Sequence, residues 1–148
     1  MNPNSRSVAE LMSREPPRLE AVADVDAAMC AMEEARVCHL LIVRDGKLAG
    51  ILTDRDISAW LPPPIPSDAA PAYLGKLARI RVSALMTHDP ISTAPETAIE
   101  DAVAVMVEYR LSALPVIDTS GELVGLLTLR DVALGLLSAR PAVEACAA

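Results

Sequence analysis

The octapeptide Gly50-Ile51-Leu52-Thr53-Asp54-Arg55-Asp56-Ile57 returns as Gly125-Leu126-Leu127-Thr128-Leu129-Arg130-Asp131-Val132, so the chain carries one device twice. The repetition runs well beyond this stretch. Val8, Leu11, Met12, Pro16, Ala28, Met32, Glu34, Arg36 and Leu40 recur 74 positions later as Val82, Leu85, Met86, Pro90, Ala102, Met106, Glu108, Arg110 and Leu114. From Gly46 and Gly121 onward the offset is 75, which places one inserted residue in a turn. A unit of roughly 55 residues is marginal as an independent core, so the duplication constrains the fold to two like halves that complete each other.

Each copy reads as a short helix, a strand, a longer helix, a hairpin and a final helix. In the second copy Thr97 is placed to cap a helix carrying Val103, Met106, Val107 and Leu111 at helical spacing, with Glu100 completing a capping box. The first copy does this more loosely, Asp24 leading into Ala28, Met32, Ala35 and Val37. Runs Leu40–Val43 and Leu48–Leu52 join through Asp45-Gly46, and Leu114–Ile117 and Leu123–Leu127 through Ser120-Gly121, both hairpin signals. These runs are nearly continuous in apolar residues, so both sheet faces must be covered. The other copy is the natural cover, giving a pseudo-twofold pair. The expected organisation is a first repeat over 7–60, a linker over 61–80 with four prolines in Leu61–Pro66 and a short helix begun near Pro71, a second repeat over 81–138, and a disordered tail over 139–148.

Composition excludes several functions. The chain has no Phe, one Trp and two Tyr, so its core must be Leu, Val, Ile, Ala and Met, and base-stacking surfaces have almost no material. A net charge of -7 argues against a nucleic-acid partner. No apolar run approaches the ~18 residues that span a membrane, and the N-terminus lacks a signal pattern, so a cytoplasmic protein is expected. Cys30, Cys38 and Cys146, an odd count without CxxC spacing, read as reduced thiols, small buried or tail residues. His39 and His88 have no second metal ligand at suitable spacing. With no Walker loop, GxGxxG or nucleophile elbow, nothing assembles an active site and the expectation is a non-enzyme.

The octapeptide admits two readings. Thr53 and Thr128 end a strand where a helix begins, with Asp56 and Asp131 at the third helical position, and Thr-x-x-Asp is a capping box. The same parts suit a ribose phosphate: a helix start and hydroxyl for the phosphate, a carboxylate for ribose hydroxyls, and Arg55 or Arg130 as a cation. Gly50 and Gly125 would let a ligand or another backbone approach closely. Lys76, Arg79 and Arg81 form either a solvated basic face or a further phosphate contact.

On the two Gly-h-h-Thr-x-x-Asp segments, Leu114-Pro115-Val116-Ile117-Asp118 and Leu85-Met86-Thr87-His88-Asp89-Pro90, the chain resembles a tandem pair of CBS domains, a Bateman module, over about Ser7 to Leu137. The resemblance implies an α+β fold of two βαββα repeats packed sheet to sheet about a pseudo-twofold axis. It further implies adenosine-containing ligands in clefts between the repeats, with AMP, ADP or ATP ahead of S-adenosylmethionine and NADH, and no required cofactor. In such modules the Asp holds ribose, the Thr holds phosphate or ribose, and backbone on a repeat's first strand reads the adenine. That implicates Thr53, Asp56, Thr128 and Asp131, with Ile91 and Ser92 on the second repeat's first strand. Positions just before the second strand can supply phosphate contacts, which brings in His39.

The first repeat has Pro17-Arg18 where the second has Ile91-Ser92, and proline has no N–H to donate. The expectation is therefore that Asp131 outranks Asp56 in binding. The functional expectation is an energy-sensing regulator that acts by population shift on an unknown regulated protein; the rival is a ligand-free dimeric scaffold or interaction module. Excess apolar residues on the long helices, Met106 among them, lead to an expected homodimer.

Overall fold

The computed structural model describes residues 6–60 and 68–138. The prolines of the linker at 62–64 and 66, the tail 139–148 and Cys146 lie outside these residues. In the first repeat, α1 (Val8–Leu11) precedes β1 (Arg18–Glu20), α2 (Val25–Ala35), β2 (His39–Arg44), β3 (Lys47–Thr53) and α3 (Asp54–Trp60). A linker helix α4 (Ala70–Leu77) follows, with Pro71 in its first turn, where its missing N–H is harmless. The second repeat has a 3-10 turn at Val82–Ala84, then β4 (Thr87–His88), α5 (Ile99–Tyr109), β5 (Ala113–Ile117), β6 (Leu123–Thr128) and α6 (Leu129–Ser138). No helix among the described residues is long and apolar enough to cross a membrane.

The repeats exchange their opening segments. Strands β1 to β4 form one sheet in that order, so Thr87 and His88 of the second repeat pair antiparallel with Ile51 and Gly50 of the first. The reverse pairing is Ser13 with Leu126, through N–H···O bonds of 2.9 and 3.0 Å. Helix α1 docks likewise: Val8 N–H donates to Thr97 O and Ile99 N–H to Arg6 O, both at 2.9 Å. Val82 N–H to Ala23 O and Val25 N–H to Ile80 O, again 2.9 Å each, mirror this. Val8 and Met12 therefore sit in the second core with Met106, Leu114 and Leu127, while Val82 and Met86 sit in the first with Met32, Leu40 and Leu52.

A third cluster, Leu41, Ala113 and Leu126 with Leu48, Ile51 and Leu123 against it, packs the two sheets face to face, as expected. The buried core is aliphatic plus Met throughout the described residues. Gly50 and Gly125 let in backbone rather than a ligand. A Cβ on Gly50 would lie 2.5 Å from Met86 Sδ and 2.7 Å from Thr87 O; on Gly125, 2.7 Å from both Met12 Sδ and Ser13 O.

Three expectations need correction. Helix α5 is capped by Ala98, without a side-chain bond, not by Thr97. Thr97 O instead accepts from the docked α1. It is the first repeat that has the side-chain cap, Asp24 Oδ1 accepting from Ala27 N–H at 2.8 Å. Cys30 and Cys38 are free but exposed rather than buried. Met106 is 1 % exposed and belongs to the core, so it cannot lie on a dimer surface.

Candidate functional site

Both Thr-x-x-Asp segments form complete capping boxes. Thr53 N–H and Oγ1–H each donate to Asp56 Oδ2 at 2.8 Å, and Asp56 N–H returns to Thr53 Oγ1 at 3.1 Å. In the second copy Thr128 N–H and Oγ1–H reach Asp131 Oδ2 at 2.8 and 2.6 Å, with Asp131 N–H to Thr128 Oγ1 at 3.2 Å. The threonine hydroxyl protons are thereby committed, and the first helical N–H of each helix is too: Asp54 donates to Cys38 O at 3.1 Å and Leu129 to Ser112 O at 3.0 Å. These donors, expected to face a phosphate, hold the local fold instead. Both box bonds fall on Oδ2, which leaves Oδ1 of Asp56 and Asp131 outside the box as an acceptor for paired hydroxyls.

Each box opens on a cleft between the repeats. One cleft, of about 610 Å³, is lined by Thr53, Arg55 and Asp56 together with Thr87, Pro90 and Ile91 from the exchanged segment and Arg110 from the end of α5. The other, of about 370 Å³, has the equivalent residues Thr128, Arg130, Asp131, Ser13, Pro16, Pro17 and Arg36. Both volumes suit a small-molecule site. Because of the exchange, Ile91 shares a cleft with Asp56, and Pro17 shares one with Asp131. This reverses the grouping expected from sequence, which put Ile91 with Asp131. Ser92 is exposed and lines neither cleft.

The first repeat has a strand, β1, where the second has none: Ile91 and Ser92, expected on a strand, lie in irregular backbone. In the first repeat β1 pairs in parallel with β2, and Leu41 N–H donates to Pro17 O at 3.2 Å. The equivalent of Leu41 is Pro115, which has no N–H, and pairing there shrinks to one bridge, Thr93 with Val116. Neither the N–H nor the C=O of Ile91 meets a hydrogen-bond partner among the described residues, and the residue is 40 % exposed. The Asp56 cleft is thus lined by a residue whose backbone donor and acceptor are both unpartnered. The Asp131 cleft presents neither at Pro17.

Sequence reasoning missed Arg36 and Arg110. Both cap a long helix in the left-handed conformation, φ 53° and 54°, where glycine is usual, and each lines a cleft. Their repetition 74 residues apart was the available signal. His39 lines both clefts, its Nε2 2.8 Å from Ser112 Oγ. Burial lowers its pKa below the usual 6.5, against the opposing pull of Asp54 and Asp56. Arg81, by contrast, donates to Val22 O at 2.8 Å, and none of Lys76, Arg79 and Arg81 lines either cleft.

The sequence pattern and the fold recur in known proteins. The family profile described as the CBS domain matches residues 8–63 and 82–138. An inosine-5'-monophosphate dehydrogenase of Korarchaeum cryptofilum is 33 % identical over 73 % of this chain, which spans only 20 % of that enzyme's length. A CBS domain-containing protein of Dictyostelium discoideum is 29 % identical over 84 % of this chain and 87 % of its own. Among solved structures, CBSX2 of Arabidopsis thaliana in complex with AMP superposes with TM-score 0.76 at 26 % identity, covering 91 % of this chain and 99 % of that one. The CBS domain pair of MJ0100, solved with 5'-methylthioadenosine and S-adenosylmethionine, shares the fold at 22 % identity, TM-score 0.74, covering 92 % and 99 % of the two chains. With both matched segments in matching register and the exchanged architecture around them, the chain belongs to the CBS domain family as a tandem pair.

Proposed function

We propose that this protein is a cytoplasmic regulator that binds an adenosine-containing ligand and converts occupancy into a change of shape or partner affinity, without catalysing a reaction. One observation carries the reading: Ile91, whose N–H and C=O meet no hydrogen-bond partner among the described residues, lines the same cleft as the Thr53–Asp56 box. An adenine edge offers a ring-nitrogen acceptor beside an amino donor, which matches an adjacent backbone donor and acceptor. Asp56 Oδ1 is then available to the ribose hydroxyls, and Arg55 and Arg110 line the same cleft. The AMP bound by CBSX2 supports the ligand class. The Asp56 cleft is the primary adenine site in this reading.

A ligand that bridges residues of both repeats favours one relative arrangement by its differential affinity. The test is calorimetry and thermal shift with adenosine, AMP, ADP, ATP, S-adenosylmethionine and NADH. At a concentration ~100 times the dissociation constant, stabilisation is ~2.7 kcal/mol. Flat melts across all of them leave the scaffold reading instead.

The same reading includes a homodimer. Val107 on α5 and Leu136 on α6 are 71 % and 66 % exposed, with Tyr109, Leu134 and Leu137 exposed as well. Apolar surface of this kind favours a self-complementary twofold contact. The regulated protein would be a further partner.

A further inference from the structure

We propose that the two clefts sort adenosine ligands by charge, the Asp56 cleft taking compounds uncharged or cationic at the 5' position and the Asp131 cleft taking 5'-phosphorylated ones. The inference rests on the adenosine-binding reading above and adds the ligand class for each cleft.

The pseudo-twofold axis makes the comparison position by position. Arg55 and Arg110 in one cleft correspond to Arg130 and Arg36 in the other, and Asp56 corresponds to Asp131. The remaining charges break the symmetry. Asp54 lines the first cleft where the second has Leu129, and Asp89 lines the first while its counterpart Glu15 does not line the second. Two guanidiniums therefore face three carboxylates around Asp56, and two guanidiniums face one carboxylate around Asp131. None of these groups forms an ion pair among the described residues, so their fields are free to act on a ligand. His39 lies against both clefts and is kept neutral by burial, so it does not restore the balance near neutral pH.

A polyphosphate in the Asp56 cleft meets Asp54 and Asp89 as like charges, on a chain already at net charge -7. Like charges juxtaposed across a contact act mainly by excluding the wrong partner. A neutral 5'-hydroxyl or thioether meets no such opposition, and a sulfonium is attracted. The Asp131 cleft has the opposite bias. It also has Pro17 where the other has the free Ile91 backbone, so it trades adenine reading for phosphate affinity.

The experiment is calorimetry with adenosine and ATP on the Asp131→Ala and Asp56→Ala variants, which isolate each cleft, with folding checked by circular dichroism. With Asp131→Ala the remaining cleft prefers adenosine to ATP. Adding Asp54→Asn narrows that preference by about three- to tenfold. With Asp56→Ala the remaining cleft prefers ATP, and Leu129→Asp narrows that preference by a similar factor. Asp54 and Leu129 are exposed first-turn positions, so Asp54→Asn and Leu129→Asp alone in the full chain give the same comparison if either alanine variant fails to fold. Rising salt shrinks both preferences, which a purely steric difference would not do. Equal ATP affinity in the two clefts, or no effect of Asp54→Asn, overturns the sorting while leaving adenosine binding intact. Binding of neither ligand overturns the underlying functional reading itself.

Discussion

Gly50 leaves room for Met86: a Cβ there would stand 2.5 Å from the methionine sulfur and 2.7 Å from the carbonyl of Thr87. Met86 opens the second repeat, so a glycine in the first holds the exchanged segment in place. Met86 can move its side chain, but the backbone carbonyl cannot yield as cheaply. Gly50→Ala should destabilise the fold by ~1–3 kcal/mol, measured by urea unfolding, with Gly125→Ala behaving alike against Met12 and Ser13. Unchanged midpoints for both would contradict the exchanged packing.

The capping boxes predict a stability effect separable from binding. Thr128→Ala removes the acceptor for Asp131 N–H and one donor to its carboxylate, and should lose ~0.5–2 kcal/mol without any ligand. Serine at the same position should recover most of it. A silent alanine variant would mean that the threonine serves the ligand alone.

His39 gives a pH dependence. Its folded-state pKa lies below 6.5 because burial opposes the charged ring, Asp54 and Asp56 notwithstanding. As pH falls through 6.5 the unfolded chain takes up the proton first, so stability falls until the folded imidazole also titrates. Above 6.5 the effect is absent. Unfolding free energies measured from pH 7.5 downward should diverge between wild type and His39→Gln as pH drops below about 6.5, the wild type losing more. Parallel curves would show that the ring is not held neutral.

For the dimer, the exposed apolar residues, not Met106, are the ones to change. Leu136→Glu or Val107→Glu should keep the fold by circular dichroism and move the mass by light scattering from about twice 15.7 kDa to that value. A wild-type protein already at the monomer mass removes the dimer from the account.

Much of this was legible from the duplicated octapeptide. Thr53–Asp56 and Thr128–Asp131 announced two helix starts, and continuous runs such as Leu40–Val43 announced sheets covered on both faces. The exchange was not legible. Val8 and Met12 have the same apolar pattern as Val82 and Met86, so either pair fits either core, and periodicity carries no information about which. The same ambiguity put Ile91 with the wrong aspartate. Thr97 misleads because local spacing suggests a cap, whereas its carbonyl and that of Pro95 bind helix α1 from the other repeat. Arg36 and Arg110 were visible as repeated residues, but their part in the clefts depends on a left-handed backbone that sequence does not display.

In the proposed function Ile91, not any residue of the Asp131 cleft, provides the adenine-reading backbone. Ile91→Pro tests it directly, since it reproduces the Pro16-Pro17 pair that the first repeat already accommodates at this position. Calorimetry with adenosine should show a loss of ~1–2 kcal/mol for Ile91→Pro, the scale of one hydrogen bond whose buried partner goes unsatisfied, with Pro17→Ile improving binding in the other cleft. Adenosine affinity unchanged by Ile91→Pro, in a protein whose melting temperature is also unchanged, would rule out Ile91 as the adenine reader.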